Sequence, residues 1–221
     1  MLFNIAKWFI CVLFILIITG CASFQGKSYD YTAFKQSRPR SVVILPPVNE
    51  SPDVNATYSM LSQVTFPLAE AGYYVFPVAL VDETFKQNGL TVASDIHAVP
   101  FKKLRDIFGA DAALYVTVTQ YGATYTLLNS AAVVTAHAKL VDLKTGNLLW
   151  KGVASASNDE GGSINSGGIV SMLVAAAVKQ VLNTVTDAAH PVAKITSNRL
   201  LSAGHANGIL YGPYSDKYTT D

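Results

Sequence analysis

Cysteine and histidine, the side chains that most often bind transition metals, are scarce in this chain of 221 residues. The two cysteines, Cys11 and Cys21, both lie near the amino terminus, so the rest of the chain has no thiol for a disulfide or a zinc site. The four histidines are scattered, without H-x-x-x-H or H-E-x-x-H spacing: His97, His137, His190 and His205. We interpret them as structural or surface residues and predict neither a metal site nor a cofactor.

An excess of positive charge is also lacking. The chain has 16 lysines and arginines against 15 aspartates and glutamates. If residues 1–20 are removed as a leader, only Lys7 is lost, and the two signs balance at 15 each. A dedicated nucleic-acid binder shows a basic patch. The composition therefore predicts that nucleic acid is not a partner.

Sequence patterns of catalysis are missing as well. There is no G-x-S-x-G nucleophile elbow. The glycine-rich stretch 161–168 lacks the Lys-Ser/Thr end of a phosphate loop, and we interpret it as a flexible loop rather than an anion site. The acidic pairs Asp82-Glu83 and Asp159-Glu160 consist of sequence neighbours, whose side chains do not face each other. We predict that the protein is not an enzyme and has no catalytic residues.

The amino terminus carries the one strong motif. An apolar run from Trp8 to Ile18 follows Lys7. It is shorter than the roughly 20 residues of a membrane-spanning helix and is typical of a signal peptide. Ile18-Thr19-Gly20-Cys21 then resembles a bacterial lipobox, which implies a diacylglycerol on the sulfur of Cys21, cleavage before it and acylation of the new amine. The alternative is a short anchor helix with an incidental cysteine.

This interpretation predicts a signal peptide at residues 1–20 and a lipid anchor with a tether at residues 21–40. A single acyl chain binds membranes only marginally, whereas three would hold the protein on the membrane. Ala22, rather than aspartate, follows the cysteine. By resemblance to enterobacterial lipoproteins, that residue favours sorting to the outer membrane. Residues 22–40 are polar and include glycine and proline, as in a linker.

The remaining chain has the patterns of one α+β domain at residues 41–194. Ser41–Leu45 is a β-branched run that predicts a buried strand, and helical spacing follows up to Gly72. Over residues 111–158 the apolar period changes to two, which predicts a three-stranded antiparallel meander with a turn at 144–147. The order βαβαα-βββ-α predicts a mixed sheet with helices packed on it.

Two further segments are candidates for contacts between subunits. The helix predicted at 169–185 is apolar on almost all sides over its first part, so it is either core or an interface; Met172 and Leu173 lie in that part. The tail, residues 195–221, is rich in tyrosine, and tyrosines are enriched at interfaces. Tyr211 and Tyr214 either pack on their own domain or contact a partner.

Four stretches of the chain resemble a family of bacterial lipoproteins with an unassigned domain, typified by a neisserial surface-antigen candidate. They are VVILPPVNES (42–51), PLAEAGYYVFPVALVDETFKQNGL (67–90), IFGADAALYVTVTQYG (107–122) and AKLVDLKTGNLLWKG (138–152). The resemblance implies an αβ fold akin to the amino-terminal domain of TolB. It also implies kinship with the curli-secretion channel lipoprotein, whose domain carries strand–(D)xxTG–strand hairpins. It implies no enzyme.

Together these observations predict a lipoprotein anchored in the outer membrane, with a periplasmic domain that binds protein in an envelope, secretion or transport complex. Its partners would be the membrane, through the lipid, and envelope proteins or further copies of itself. A second hypothesis is a small-ligand-binding module or enzyme that uses the loops at 49–53 and 161–168. A third is a passive surface lipoprotein antigen.

Overall fold

The computed structural model describes residues 29–125, 130–159 and 188–220. The six strands β1 to β6 are Ser41–Ile44, Val48–Asn49, Tyr74–Val75, Ala112–Tyr125, Ser130–Asp142 and Leu148–Ser157. The seven helices α1 to α7 in these residues are Thr32–Ser37, Ala56–Gln63, Thr65–Glu70, Val78–Gln87, Ala93–His97, Phe101–Phe108 and Ala189–Leu201. Among these helices, none has the length and apolar character needed to cross a membrane.

All six strands form one mixed sheet in the order β3-β1-β4-β5-β6, and β2 pairs with β4 beyond the end of β1. The pairs β1–β3, β1–β4 and β2–β4 are parallel, whereas β4–β5 and β5–β6 are antiparallel. Parallel neighbours require long crossover connections, and here these are the helices α2–α3 and α4–α6. The predicted α+β class, mixed sheet and antiparallel meander are therefore confirmed.

Alternate residues of β4 point into two separate cores. Leu114 and Val116 belong to the larger core, which α2, α3 and α7 cover, and Ala113 and Tyr115 belong to the smaller one under α4–α6. Trp150 of β6 is almost completely buried in the larger core, where its indole N–H donates to the backbone carbonyl of Asn207 at 3.0 Å. The sheet is thus covered by helices on both faces, although not to the same extent.

The turn between β5 and β6 is held by the carboxylate of Asp142. It accepts hydrogen bonds from the backbone amides of Lys144 and Thr145 at 2.8 and 2.6 Å, and from the Thr145 hydroxyl at 2.9 Å. The Ser37 hydroxyl of α1 donates to the other carboxylate oxygen. Burial alone would raise the pKa of Asp142, but these hydrogen bonds outweigh it and hold the pKa below its usual value. This is the physical basis of the D-x-x-T-G pattern in the sequence.

The ends of the domain differ from the boundaries expected from composition. Helix α1 lies within the stretch predicted as a tether, and its Phe34 is buried in the larger core. Helix α7 continues across the boundary predicted at residue 194, and Leu200 and Leu201 at its end are buried. Both segments are polar on average, and only a few apolar side chains fix them to the sheet. The short β2 and α5 were also missed, because two to five residues show no clear period.

The tail is attached to its own domain by close backbone packing at Gly72. Gly72, just past the end of α3, has φ +91°, and the amides of Gly212 and Tyr214 donate to the carbonyls of Ala71 and Gly72 at 2.7 and 3.0 Å. A Cβ atom at Gly72 would lie only 2.4 Å from the backbone nitrogen of Ser215. The tail therefore depends on the lack of a side chain here.

We expect Gly72→Ala to destabilise the fold by about 2–5 kcal/mol. A left-handed backbone costs a non-glycine residue about 1–2 kcal/mol, and overpacking adds about 1–3 kcal/mol. Gly89→Ala is the matched control, because Gly89 has φ +79° and nothing within 4 Å of the added Cβ. Urea unfolding should show only the backbone term, about 1–2 kcal/mol of loss, for the control. Equal losses would contradict the packing role assigned to Gly72.

Candidate functional site

The smaller core covers only part of its face of the sheet and leaves an uncovered area on β4, β5 and β6. Two rows of directly paired residues cross this area. We define it as the open face: Lys139 and Lys151 beside the buried Tyr115 in one row, and Thr117, His137 and Val153 in the other. These residues line a shallow concavity of about 520 Å³. Val153, on the edge strand β6 of the described sheet, is 61% exposed and adds an apolar side chain to this polar surface.

The open face has a positive charge that the fold does not neutralise. The Lys139 ammonium lies 4.9 Å from the centre of the Tyr115 ring, and Lys139 is directly opposite Lys151 on the neighbouring strand. Like charges in directly opposed positions destabilise a sheet. In the part of the chain that the structure describes, no carboxylate lies within 4 Å of either ammonium. The arrangement is suited to an anionic partner.

His97 of α5 forms the border between the open face and the helices. Its Nε2 atom lies 3.0 Å from the carbonyl oxygen of Pro46, and its ring meets the Tyr115 ring edge-on at 5.2 Å. Burial lowers the pKa of His97, the bond to Pro46 opposes this, and the Lys139 charge lowers the pKa further. The net pKa lies below the usual value, so His97 is neutral at pH 7 and donates its Nε2 proton to Pro46. Burial also raises the pKa of the Tyr115 hydroxyl.

A second polar cluster joins α2, β4 and α7. The Tyr121 hydroxyl donates to Ser59 Oγ at 2.7 Å, and Ser59 Oγ lies 2.7 Å from Nδ1 of His190. The side-chain amide nitrogen of Gln63 lies 3.1 Å from Nε2 of the same ring. With this amide donating to Nε2, the neutral ring carries its proton on Nδ1 and donates it to Ser59. These hydrogen bonds link α2, β4 and α7.

The other chemical candidates from the sequence do not converge in the described residues. No group of three or more histidine, cysteine, aspartate or glutamate side chains is placed to hold a metal ion there. In the loop at 49–53 the polar groups bond to one another: Asn49 donates to the Asp53 carbonyl at 2.7 Å and accepts from Ser51. The second predicted ligand loop, 161–168, lies outside the described residues.

The residues predicted for anchoring and interfaces have different positions. Cys21, Met172 and Leu173 lie outside the described residues, so their roles stay predictions. Tyr211 is half-buried, and the Lys217 ammonium lies 5.6 Å from its ring centre. Tyr214 is 67% exposed, although its backbone amide is bonded to Gly72. The tail thus packs on the domain with its backbone and presents the Tyr214 ring to solvent.

A mixed sheet with crossover helices on both faces defines the protein as a compact α+β domain without an evident catalytic centre in its described residues. The family model described as "Putative lipoprotein GNA1162-like" matches residues 29–214, and the chain belongs to this family. A relative from Neisseria meningitidis serogroup B, named "Putative lipoprotein NMB1124/NMB1162", is 50% identical over 199 residues. The match covers 90% of this chain and 92% of that relative. The family resemblance inferred from the sequence is confirmed.

One solved structure of a family member supports the fold. The crystal structure of lipoprotein GNA1162 from Neisseria meningitidis is 55% identical, with a TM-score of 0.52 over 66% of this chain and 99% of that chain. A PelC dodecamer from Paraburkholderia phytofirmans is 16% identical, with a TM-score of 0.40 over 66% of this chain and 86% of that one. The second likeness is too weak to support an argument about assembly.

We expect His97 to make the fold less stable in mild acid. The pKa of His97 is lower in the folded state, so below about pH 6.5 the unfolded state binds more protons than the folded state does. The stability that depends on neutral His97 is therefore complete above that pH. It is lost as the pH falls through the lower folded pKa. His97→Gln, which keeps a donor for Pro46, should lose less stability between pH 7.5 and pH 5.5 in urea unfolding. His137→Gln, at an exposed position, should behave as wild type. An unchanged pH dependence in His97→Gln would contradict this assignment.

Proposed function

We propose that this chain is a lipid-anchored envelope protein that binds an acidic protein segment through the open face and catalyses no reaction. Membership of a lipoprotein family supports the anchor, and Cys21 in the lipobox-like Ile18-Thr19-Gly20-Cys21 is the residue that would be acylated. Ala22 after that cysteine favours the outer membrane. The domain would then lie in the periplasm as a component of an envelope, secretion or transport complex.

The observation that carries the binding role is the opposed pair Lys139 and Lys151 around the exposed Val153. A like-charge pair that weakens the sheet is useful if a partner supplies carboxylates, since charge complementarity directs association and excludes wrong partners. Lys139 over Tyr115 and the hydroxyl of Thr117 add polar contacts beside the apolar Val153. This combination of an apolar side chain with charged and aromatic neighbours suits a peptide.

A flat membrane is a poorer match for the open face than an extended protein segment. Helix α5 borders it at His97, and a helix with its side chains is about 10–12 Å thick. The helix therefore projects above the exposed strands. A planar bilayer cannot contact strands that are recessed in this way, whereas a single extended chain can. A second copy of this protein that presents an acidic segment would satisfy the same chemistry, which keeps self-association within the proposal.

The anchor is tested by replacing each cysteine in turn. Cys21→Ser should abolish incorporation of labelled palmitate, because the sulfur that would carry the acyl chains is lost. Cys11→Ser is the matched control and should be acylated as in wild type. Density-gradient separation of the labelled protein then distinguishes outer from inner membrane. Label that persists in Cys21→Ser would contradict the anchor.

The role of the open face is tested by Lys151→Glu. This change should abolish binding of the acidic partner and at the same time stabilise the fold. An acidic residue opposite Lys139 replaces repulsion by attraction, worth about 0.2–1 kcal/mol in urea unfolding. A photo-crosslinking side chain at Val153 reports binding in cells, and its adduct should disappear with Lys151→Glu. Lys103→Glu, at an exposed position on α6, should leave the adduct intact.

Two results would contradict the proposed binding role of the open face. One is a Val153 position that forms no adduct in cells, and the other is an adduct that survives Lys151→Glu in a stably folded protein. An adduct with the mass of two copies of the chain would identify the partner as a second copy. An adduct with another protein should be sensitive to salt, as expected for contacts between charges near the surface.

A further inference from the structure

An apolar pocket lies on the other side of the molecule, between helix α1 and the tail. We call it the α1–tail pocket; its volume is about 250 Å³. Its lining consists of Phe34, Lys35, Arg38, Pro39, Tyr73, Leu210, Tyr211, Tyr218 and Thr219. Phe34, Pro39, Tyr73 and Leu210 are buried, so the walls are built into the domain. The volume is slightly below the roughly 300–1,000 Å³ of pockets for drug-sized ligands, which favours a slender ligand.

The rim of this pocket is positively charged. Its charged side chains in the described residues are Lys35 and Arg38, and both are exposed. Arg38 Nε donates to the backbone carbonyl of Lys35 at 3.2 Å, and no carboxylate of the described residues lies within 4 Å of the guanidinium. The outer N–H groups of Arg38 can therefore form the two parallel hydrogen bonds that arginine makes with a carboxylate.

Backbone strain is concentrated at the same place. Arg38 and Thr219 have φ +47° and +70°, and they are two of the three non-glycine residues with positive φ in the described part of the chain. Side chains with a Cβ rarely adopt this conformation, which persists only where the surrounding structure imposes it. Arg38 is the residue directly after α1 and Thr219 belongs to the tail, and both segments contribute lining, so the pocket exists only when both are docked.

The pocket is also close to the point where the chain would meet the membrane. The backbone amide of Tyr29 donates to the side chain of Asn207 at 3.0 Å, which fixes the start of the described chain beside the tail. Tyr29 lies only eight positions after Cys21. Even fully extended, this stretch reaches at most about 29 Å. The position of the pocket near the membrane rests on the proposed acylation of Cys21. At that position the pocket is within reach of molecules that leave the bilayer.

We propose that the α1–tail pocket binds a single-chain fatty acid, with its carboxylate on Arg38 and its acyl chain between the aromatic walls. One slender apolar chain matches the volume and the buried lining. One anionic group matches the exposed guanidinium at the rim. The α1 segment, Tyr73 and the tail would line the acyl chain, so binding of the fatty acid also holds the two ends of the domain together.

The test is calorimetric titration of decanoate, below its critical micelle concentration, into the Cys21→Ser chain, which has no acyl group to compete. We expect one molecule to bind per chain. Arg38→Gln should weaken decanoate binding roughly tenfold and leave the binding of neutral decanol unchanged, because only the charge pair is lost. Arg105→Gln, at an exposed arginine on α6, is the matched control and should bind decanoate as before. Tyr218→Ala, which removes a wall, should weaken both ligands.

Several outcomes would overturn the proposal. They are no binding of decanoate below the micelle concentration, equal binding of decyltrimethylammonium, and no change on Arg38→Gln. Tighter binding of decyl phosphate than of decanoate would overturn the assignment to a fatty acid and indicate a phosphate. Because the titration uses a chain without the lipid anchor, its failure leaves the palmitate labelling at Cys21 unaffected, and the two proposals fail separately.

Discussion

The structure depends on the change of strand pairing at β4. On one side β4 pairs in parallel with β1 and β2, and on the other it pairs antiparallel with β5. Parallel strands need crossover helices, which then cover the sheet, whereas antiparallel strands are joined by turns that cover nothing. Helices α4–α6 therefore shield the smaller core beneath them, and the meander would remain bare on both faces without other segments.

On the larger core those other segments are the two ends of the domain. Helix α7 covers β5 and β6, and its Thr196 hydroxyl donates to the Val134 carbonyl at 3.1 Å. Helix α1 reaches the β5–β6 turn through Ser37 and Asp142. The segment around Asn207 accepts hydrogen bonds from Tyr29 and Trp150. Residues far apart in sequence thus close one face, and the pocket that we assign to a fatty acid is the space left where they meet.

The opposite face of the meander has no equivalent cover among the described residues. It presents the exposed Val153 on edge strand β6 and two directly opposed lysines, a like-charge arrangement that weakens a sheet. The border residue His97 is instead kept neutral by burial, which limits the positive charge to the strands. Two surfaces with different chemistry therefore lie on opposite sides of one sheet: a polar cationic face and an enclosed apolar pocket.

Local patterns in the sequence determined the class of the fold. The β-branched run at 41–45, the period-two meander and the D-x-x-T-G turn each depend on neighbouring residues, so they could be predicted, and so could the family. The docking of α1, the extent of α7 and the packing of the tail on Gly72 depend on contacts between distant residues, and only the tertiary structure decided them.

The same holds for the sites. The sequence showed that Lys139 and His137 alternate with the core, but strand register placed Lys151 opposite Lys139, and the packing of both chain ends placed Arg38 on a pocket. Register and packing join residues that no local pattern connects, which is why these sites emerged only from the fold.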